Sequence, residues 1–479
     1  MQKRKVKPRA FELPSNDNIS FPIGTIYAVK NFFKDLQLAP IFKKFKSRGA
    51  DLNSLAEGMV SYRLTENLSL SKASDWLNRP EVLEIFNLDP FEQNTLYRGL
   101  RDIGSNREEI IMDIQDRLFS NYTFEHTNVN LDWSSIILYG MKCPIAKHGY
   151  SRDHRPDKKQ ITIGAAELSS PINIPIGMTV REGNLPDQIH FSETFQQIAP
   201  RLMKGSLVVF DQGANRKDNL DEVEAEKLKY ITARQLNTSD DSTWIKTFDK
   251  SKAELVDERH GVYGLKKKFP SRINYLFFSE KLYKEKMETK FRKVERLFEE
   301  AETIQSTIER NRKLPKRYRI NNPLIDCEYS YQTKLGLLNE EQAKEILKKA
   351  CITGREGFFC LVSDKDLTLS EALQTYRQKD SIEKIFNSLK NVLDIKPLRV
   401  WTVDSIYGAL IIAFLAQLFI SLIKYEHKEL KHTSEKFIKY SLMNLTVTIE
   451  KVKDGLRKVI YSNFDPISTQ ILGVKSEFG

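Results

Sequence analysis

Tyr376, Lys379, Glu383 and Lys390 are spaced by three, four and seven residues within LVSDKDLTLSEALQTYRQKDSIEKIFNSLKNVLDIKP, residues 361–397. At about 100° per residue they fall within roughly 60° of one another on one helical face. Ile382, Ile385, Phe386, Leu389, Val392 and Leu393 form the adjoining apolar stripe. The spacing predicts one helix, capped by Thr368 or Ser370 and running through Glu371 to about Leu393, where Lys396 and Pro397 stop it. One side would enter a core while the next presents a phenol, two ammonium groups and a carboxylate, a set suited to a metal ion flanked by phosphates. Lys and Glu on the wet face of any amphipathic helix also serve solubility and i,i+4 pairing. The metal reading therefore requires at least two further carboxylates, each at the end of an apolar strand.

The elements able to supply them lie upstream. VNLDWSSIILYG from Val129, QITIGAAEL from Gln160 and INIPIGMTVREG from Ile172 read as three strands in succession. A helical stretch from Gln188 follows, then SLVVFDQGANRKDNL, an apolar strand that ends at Asp211 and turns through Gly213 into another helix. YITARQL from Tyr230 supplies a further strand. This order belongs to a mixed sheet with helices on its faces. With its first and fourth strands adjacent at the centre, Asp132 and Asp211 can meet. Singly, an Asp near a strand end is ordinarily a cap or turn former. Together with Glu383 the two make three carboxylates, the number needed to bridge two Mg²⁺ ions about 3.5–4 Å apart.

In these blocks the chain resembles bacterial insertion-sequence transposases of the DDE class. The group in question carries Tyr, two residues, Arg, three residues, Glu, six residues, Lys. Tyr376, Glu383 and Lys390 stand at that spacing, and Lys379 replaces the Arg. LYRGLRDIGSNREEI, HGYSRDHRPDKKQITIG, TVREGNLPD, VVFDQGANRKDN and GFFCLVSD also resemble the group's blocks, so the similarity runs from roughly Phe21 to Leu422. The resemblance implies an α/β fold: an RNase H-like mixed sheet flanked by helices and interrupted by a β-rich insertion. It also implies Asp132, Asp211 and Glu383 as ligands of two Mg²⁺ ions, Mn²⁺ being an alternative. Tyr376, Lys379 and Lys390 would position DNA phosphates. The implied activity is metal-dependent cleavage at the element's ends and strand transfer into target DNA, with terminal repeats and target as partners and a homodimer pairing the ends. Two alternatives stay open: an RNase H-like nuclease that cuts without joining, and an inactive DNA-binding relative.

The expected organisation is a basic flexible arm (1–20), a helical DNA-binding domain (21–120), the core's first part (121–236), a β-rich insertion with a long charged helix (237–355), the core's second part (356–425) and a C-terminal helical region (426–479). The helical domain, decorated by Arg48, Lys72, Arg98 and Arg101, reads equally as a generic bundle. The insertion holds TWIKTF, whose Trp244 either stacks on an unstacked base or packs in a small core, and the net-positive KLPKRYRI. His148, Arg152, Asp153, His154 and Arg155 crowd the region after the first strand. No nucleophile elbow surrounds Ser151, so this cluster reads as a DNA-contacting hairpin, with Arg152 and Lys158 as phosphate contacts.

Composition fits these expectations. Lys and Arg number 75 against 64 Asp and Glu, a net charge of +11 that favours a polyanionic partner, nucleic acid before membrane. The four cysteines form no CxxC pair and the seven histidines do not cluster, which speaks against a zinc site or disulfide framework and for a reducing cytoplasm; the resemblance implies that this is a bacterial cytoplasm, with the chain on the nucleoid. No apolar segment follows the basic N-terminus, so no secretory signal is expected. Residues 406–423 lack charge over a length at the lower limit for a membrane span, but Gln417 and Ser421 interrupt them. They are expected to form a buried core helix, with no membrane partner. Beyond Lys424 the chain offers only amphipathic helix and tail.

Overall fold

A computed structural model describes residues 18–45, 49–65, 69–138, 142–152, 154–169, 173–310, 321–326, 332–393, 400–451 and 457–473. Most of the basic arm, Arg48, Asp153, KLPKRYRI, Lys396 and Pro397 lie outside them. The chain divides into two compact units, one of residues 1–229 with 377–479 and one of residues 230–376.

Strand Val129–Ile137 organises the first unit. It pairs antiparallel with Gln160–Leu168, which pairs antiparallel with Ile174–Glu182. On its other side it pairs parallel with Leu207–Phe210. The fourth strand thus lies beside the first, as the chain order predicts for this mixed sheet. Helices cover the strands, so most of their residues are buried and they read as apolar runs. Alternation persists in the first strand: Asn130, Asp132 and Ser134 share one face, Leu131 and Trp133 the other. The indole of Trp133 donates to Thr194 Oγ1 at 3.2 Å, locking helix Asp187–Ile198 onto that second face.

Among the described residues, seven helices between Gly24 and Asn121 precede the sheet. Asp51 and Ser69 cap two of them by accepting the amides of Ser54 and Lys72. The apolar faces of Gly24–Asp35, Leu52–Leu64, Gln93–Ser105 and Arg107–Asn121 pack on helix Val403–Glu426, in which every residue from Ser405 to Ile423 is buried. This helix is long and apolar enough to cross a membrane, yet its apolar window is wholly covered by protein. It crosses helix Gln93–Ser105 at two glycines. A Cβ on Gly104 would stand 1.7 Å from Asp404 O, and one on Gly408 1.9 Å from Leu100 O, so the two backbones touch. The Tyr407 hydroxyl ties the same helix to the sheet, donating to Val180 O at 2.7 Å and accepting from Val180 N at 3.2 Å.

The C-terminal region, expected to be helical, is mixed: it forms helix Glu435–Asn444, strands Thr446–Lys451 and Arg457–Ser462 and helix Pro466–Leu472. Strand Asn18–Pro22 adds antiparallel to Thr446–Lys451, joining both ends of the chain in one small sheet. Such long-range pairing leaves no local signature.

In the second unit, Phe358–Ser363 pairs antiparallel with Lys229–Arg234 on one side and Ile273–Ser279 on the other. Val262–Lys268 and Glu254–Asp257 extend this sheet. The expected charged helix spans Glu280–Glu309 and packs Val294, Leu297, Phe298 and Ala301 with Ala343 and Leu347 of helix Glu340–Cys351. TWIKTF is helical through Lys246: Thr238 and Asp241 form a capping box that starts helix Ser239–Lys246.

Candidate active site

The polar face of strand Val129–Ile137 meets one stretch of chain, residues 378–390, at every second residue. Asn130 Nδ2 donates to Ser381 Oγ at 3.1 Å. Asp132 Oδ1 stands 3.8 Å from the Lys379 ammonium. Ser134 Oγ accepts from Lys390 Nζ at 2.7 Å. Val129 is level with Val208 and Asn130 with Val209, so Asp132 is level with Asp211, which follows the neighbouring strand. Asp211 Oδ2 lies 3.2 Å from the same ammonium. Lys379 is only 4 % exposed. It touches both carboxylates at ion-pair distance without a well-directed hydrogen bond.

The helix expected from Glu371 to Leu393 is not continuous. It runs as Leu369–Gln378, breaks at Lys379, resumes as Asp380–Asn387 and ends in a π-helical turn, Ser388–Val392. The cause of the break is local competition: Ser381 Oγ donates to Gln378 O at 2.7 Å, and Ile382 N turns to Lys379 O at 3.0 Å in a tightened turn. Asn130 Nδ2 reaches the same Gln378 carbonyl at 3.4 Å. In the π-helical turn Leu393 N bonds Ser388 O, and Arg63 satisfies Leu393 O at 3.2 Å. Glu383 lies exposed in the first turn of Asp380–Asn387, one turn beyond Lys379. Tyr376 belongs to the second unit.

Burial opposes the charge on Lys379, but the fields of Asp132, Asp211 and Glu383 outweigh it and raise its pKa. Burial likewise pushes the Asp132 carboxyl up to about 6, with Lys379 pulling it down and Asp211 pushing it up. A third carboxyl, Glu167, is fully buried on the strand opposite Asn130. Burial lifts its pKa to about 8, although Asn130 Nδ2 donates to its Oε1 at 2.9 Å and the Ser381 hydroxyl, whose one hydrogen is shared with Gln378 O, also meets that oxygen. Glu167, Asn130 and Ser381 thus tie the strand two residues before Asp132 to the helix two residues before Glu383. Sequence reading did not single out these three or Ser134. The available signal was the polar alternation Asn130, Asp132, Ser134 in an otherwise apolar strand; nothing in the sequence marks Glu167.

Among the described residues no three Asp, Glu, His or Cys side chains converge as a finished metal cage. The donor set nevertheless suits a hard divalent ion: two carboxylates on adjacent strands already share one cationic group, and a third lies one helical turn away. Arg152 sits near this site but is engaged, pairing with Asp187 Oδ2 at 2.6 Å while its amide donates to Ser135 Oγ. Lys158 lies 3.9 Å from Asp157. Ser151 Oγ accepts the Arg155 amide, the part of a turn former. Trp244 is half-buried in the second unit.

Residues 132–419, more than half of the chain, match the family described as Transposase DDE domain. The chain belongs to this family. The match opens at Asp132 and takes in Asp211, Glu383 and Lys390, so all three candidate carboxylates of this transposase-family chain fall inside it. No curated protein matches the chain in sequence. A solved structure described as the cryo-EM structure of piggyBac transposase synaptic complex with hairpin DNA aligns at a TM-score of 0.42 and 12% identity, covering 88% of this chain and 79% of that one.

Proposed function

We propose that this chain is a bacterial insertion-sequence transposase of the Tyr-Arg-Glu-Lys group, with Lys in the Arg position, acting in the cytoplasm on nucleoid DNA. The observation that carries the reading is the Lys379 ammonium seated between Asp132 and Asp211, with Glu383 on the next turn. Family membership supplies the reaction class. Asp132, Asp211 and Glu383 are the residues to hold two Mg²⁺ ions, or Mn²⁺. Bound there, the ions supply Lewis acidity at a phosphoryl oxygen and a more acidic attacking hydroxyl. Lys379 and Lys390 place point charges beside the scissile phosphate, and Tyr376 adds a hydroxyl donor. The helical domain at 21–120 and the insertion at 237–355, with Arg152, Lys158 and Trp244, serve to hold the rest of the DNA, and a homodimer brings two ends together.

The chemistry is two in-line displacements without a covalent protein intermediate. In the first, water attacks phosphorus and the bond to the 3′ oxygen breaks, freeing a 3′-OH and a 5′ phosphate. In the second, that 3′ oxygen attacks a target phosphodiester and displaces the target's own 3′ oxygen, conserving bond number. Holding both reactants in one site makes the second step effectively unimolecular. The test is a Mg²⁺-dependent strand-transfer assay on DNA bearing the element's ends, comparing wild type with Glu383→Gln. Joined products lost in the variant while end binding persists support the reading. Cleavage without joining in the wild type would replace it with the nuclease reading, and no chemistry on ends that are bound would leave a binding protein.

A further inference from the structure

Away from the carboxylates, a cleft of about 510 Å³ opens where helix Gln93–Ser105 meets the start of helix Val403–Glu426. Tyr97, Arg98, Arg101 and Trp401 line it. Its rigidity follows from the sequence. Leu96, Gly99, Leu100 and Ile103 turn into the core, so Asn94, Tyr97, Arg98 and Arg101, at i, i+3, i+4 and i+7, form the outward stripe. The Gly104 and Gly408 crossing fixes the two helices backbone to backbone. Trp401 directly precedes the cap residue Thr402, whose Oγ1 accepts the Ser405 amide at 3.2 Å. The backbone of Trp401 therefore leads directly into a capped helix, and its side chain is 51% exposed. A half-exposed indole in the same cleft as two arginines offers a stacking face beside two anion donors. Arg98 and Arg101 are exposed, and neither pairs with a carboxylate among the described residues.

We propose that this cleft binds an unpaired nucleotide of the DNA, its base stacked on Trp401 and its phosphate between Arg98 and Arg101. Base stacking on an aromatic ring requires an exposed base face, which a paired duplex hides. Duplex backbone alone would engage the arginines and leave the indole in water. Two guanidinium groups and an indole lining one cleft match a nucleotide's two halves, anion and ring, with Glu92 the one carboxylate among the lining residues. The assignment rests on DNA being the substrate, and adds to the reaction site a place where a strand end or displaced flank is held.

The test is equilibrium binding by fluorescence anisotropy with the full chain and two labelled probes: a blunt duplex, and the same duplex carrying a short unpaired thymidine flank. Wild type should prefer the flanked probe. Trp401→Ala should weaken the flanked probe by about five- to a hundredfold and leave the blunt probe unchanged, while Trp401→Phe retains most of the preference. Arg98→Ala with Arg101→Ala should weaken the flanked probe and flatten its salt dependence. Equal wild-type affinity for the two probes, or a Trp401→Ala chain that still prefers the flank, overturns the proposal; either result would leave an acidic peptide as the occupant to consider. Strand transfer assayed alongside separates the two readings. Joining by the wild type with no Trp401-dependent preference removes the cleft alone, and a Trp401-dependent preference without joining removes transposition alone.

Discussion

Lys379 reconciles two opposed demands. A buried ammonium loses hydration, and two carboxylates at 3.2 and 3.8 Å compensate for that loss. The same group is suited to meet a phosphate when DNA arrives. Lys379→Arg should keep strand transfer, because Arg also donates to phosphate. Lys379→Ala should lower it by about ten- to a hundredfold, the loss of one charge-assisted hydrogen bond, and unchanged joining by the Ala variant would remove the assignment. Glu167 makes a prediction about pH. Its folded pKa of about 8 lies above the ordinary 4.5, so between those values the folded chain keeps a proton that the unfolded chain has released. Stability from this group is complete below about 4.5 and falls by about 1.4 kcal/mol per pH unit until about 8. Glu167→Gln should flatten that decline and gain on wild type as pH rises; denaturant titrations with parallel pH profiles would exclude it.

At the level of elements, the segment carrying the acidic motif is a broken helix because one hydroxyl competes for a carbonyl. The periodicity of Tyr376, Lys379, Glu383 and Lys390 was legible, and so was the apolar stripe, since both depend only on spacing. The break at Lys379 was not, because Ser381 meets Asn130 and Glu167 from strands over 200 residues earlier. The crossing of helices Gln93–Ser105 and Val403–Glu426 is similarly a property of contact. Gly104→Ala and Gly408→Ala each place a Cβ within 2 Å of facing backbone. Each should destabilise the chain by about 1–3 kcal/mol or more, read as a lower denaturation midpoint. Gly205→Ala, at a site with open space but φ of 82°, should also destabilise, through backbone strain rather than overlap.

On the scale of the whole molecule, net charge and the buried apolar helix set behaviour in solution. Val403–Glu426 is covered by its neighbours, so the purified chain should stay dispersed without detergent; partition into detergent micelles would contradict the packing. An excess of 11 positive charges predicts that DNA affinity falls linearly with salt on logarithmic axes, and a flat dependence would argue against phosphate contact.

The sequence by itself determined the order of strands and helices from Val129 to Arg234, the neighbouring places of Asp132 and Asp211, and an apolar stretch too interrupted and too isolated to suggest more than a core helix. These follow from local periodicity and from the few topologies that chain order permits. Only the tertiary structure decided which groups share the buried polar face: that Lys379 sits between the two aspartates, that Glu167 is held neutral behind them, and that Trp401 stands open beside Arg98 and Arg101. Those outcomes depend on desolvation and on hydrogen-bond competition between distant segments, and neither is encoded in the spacing of residues along one of them.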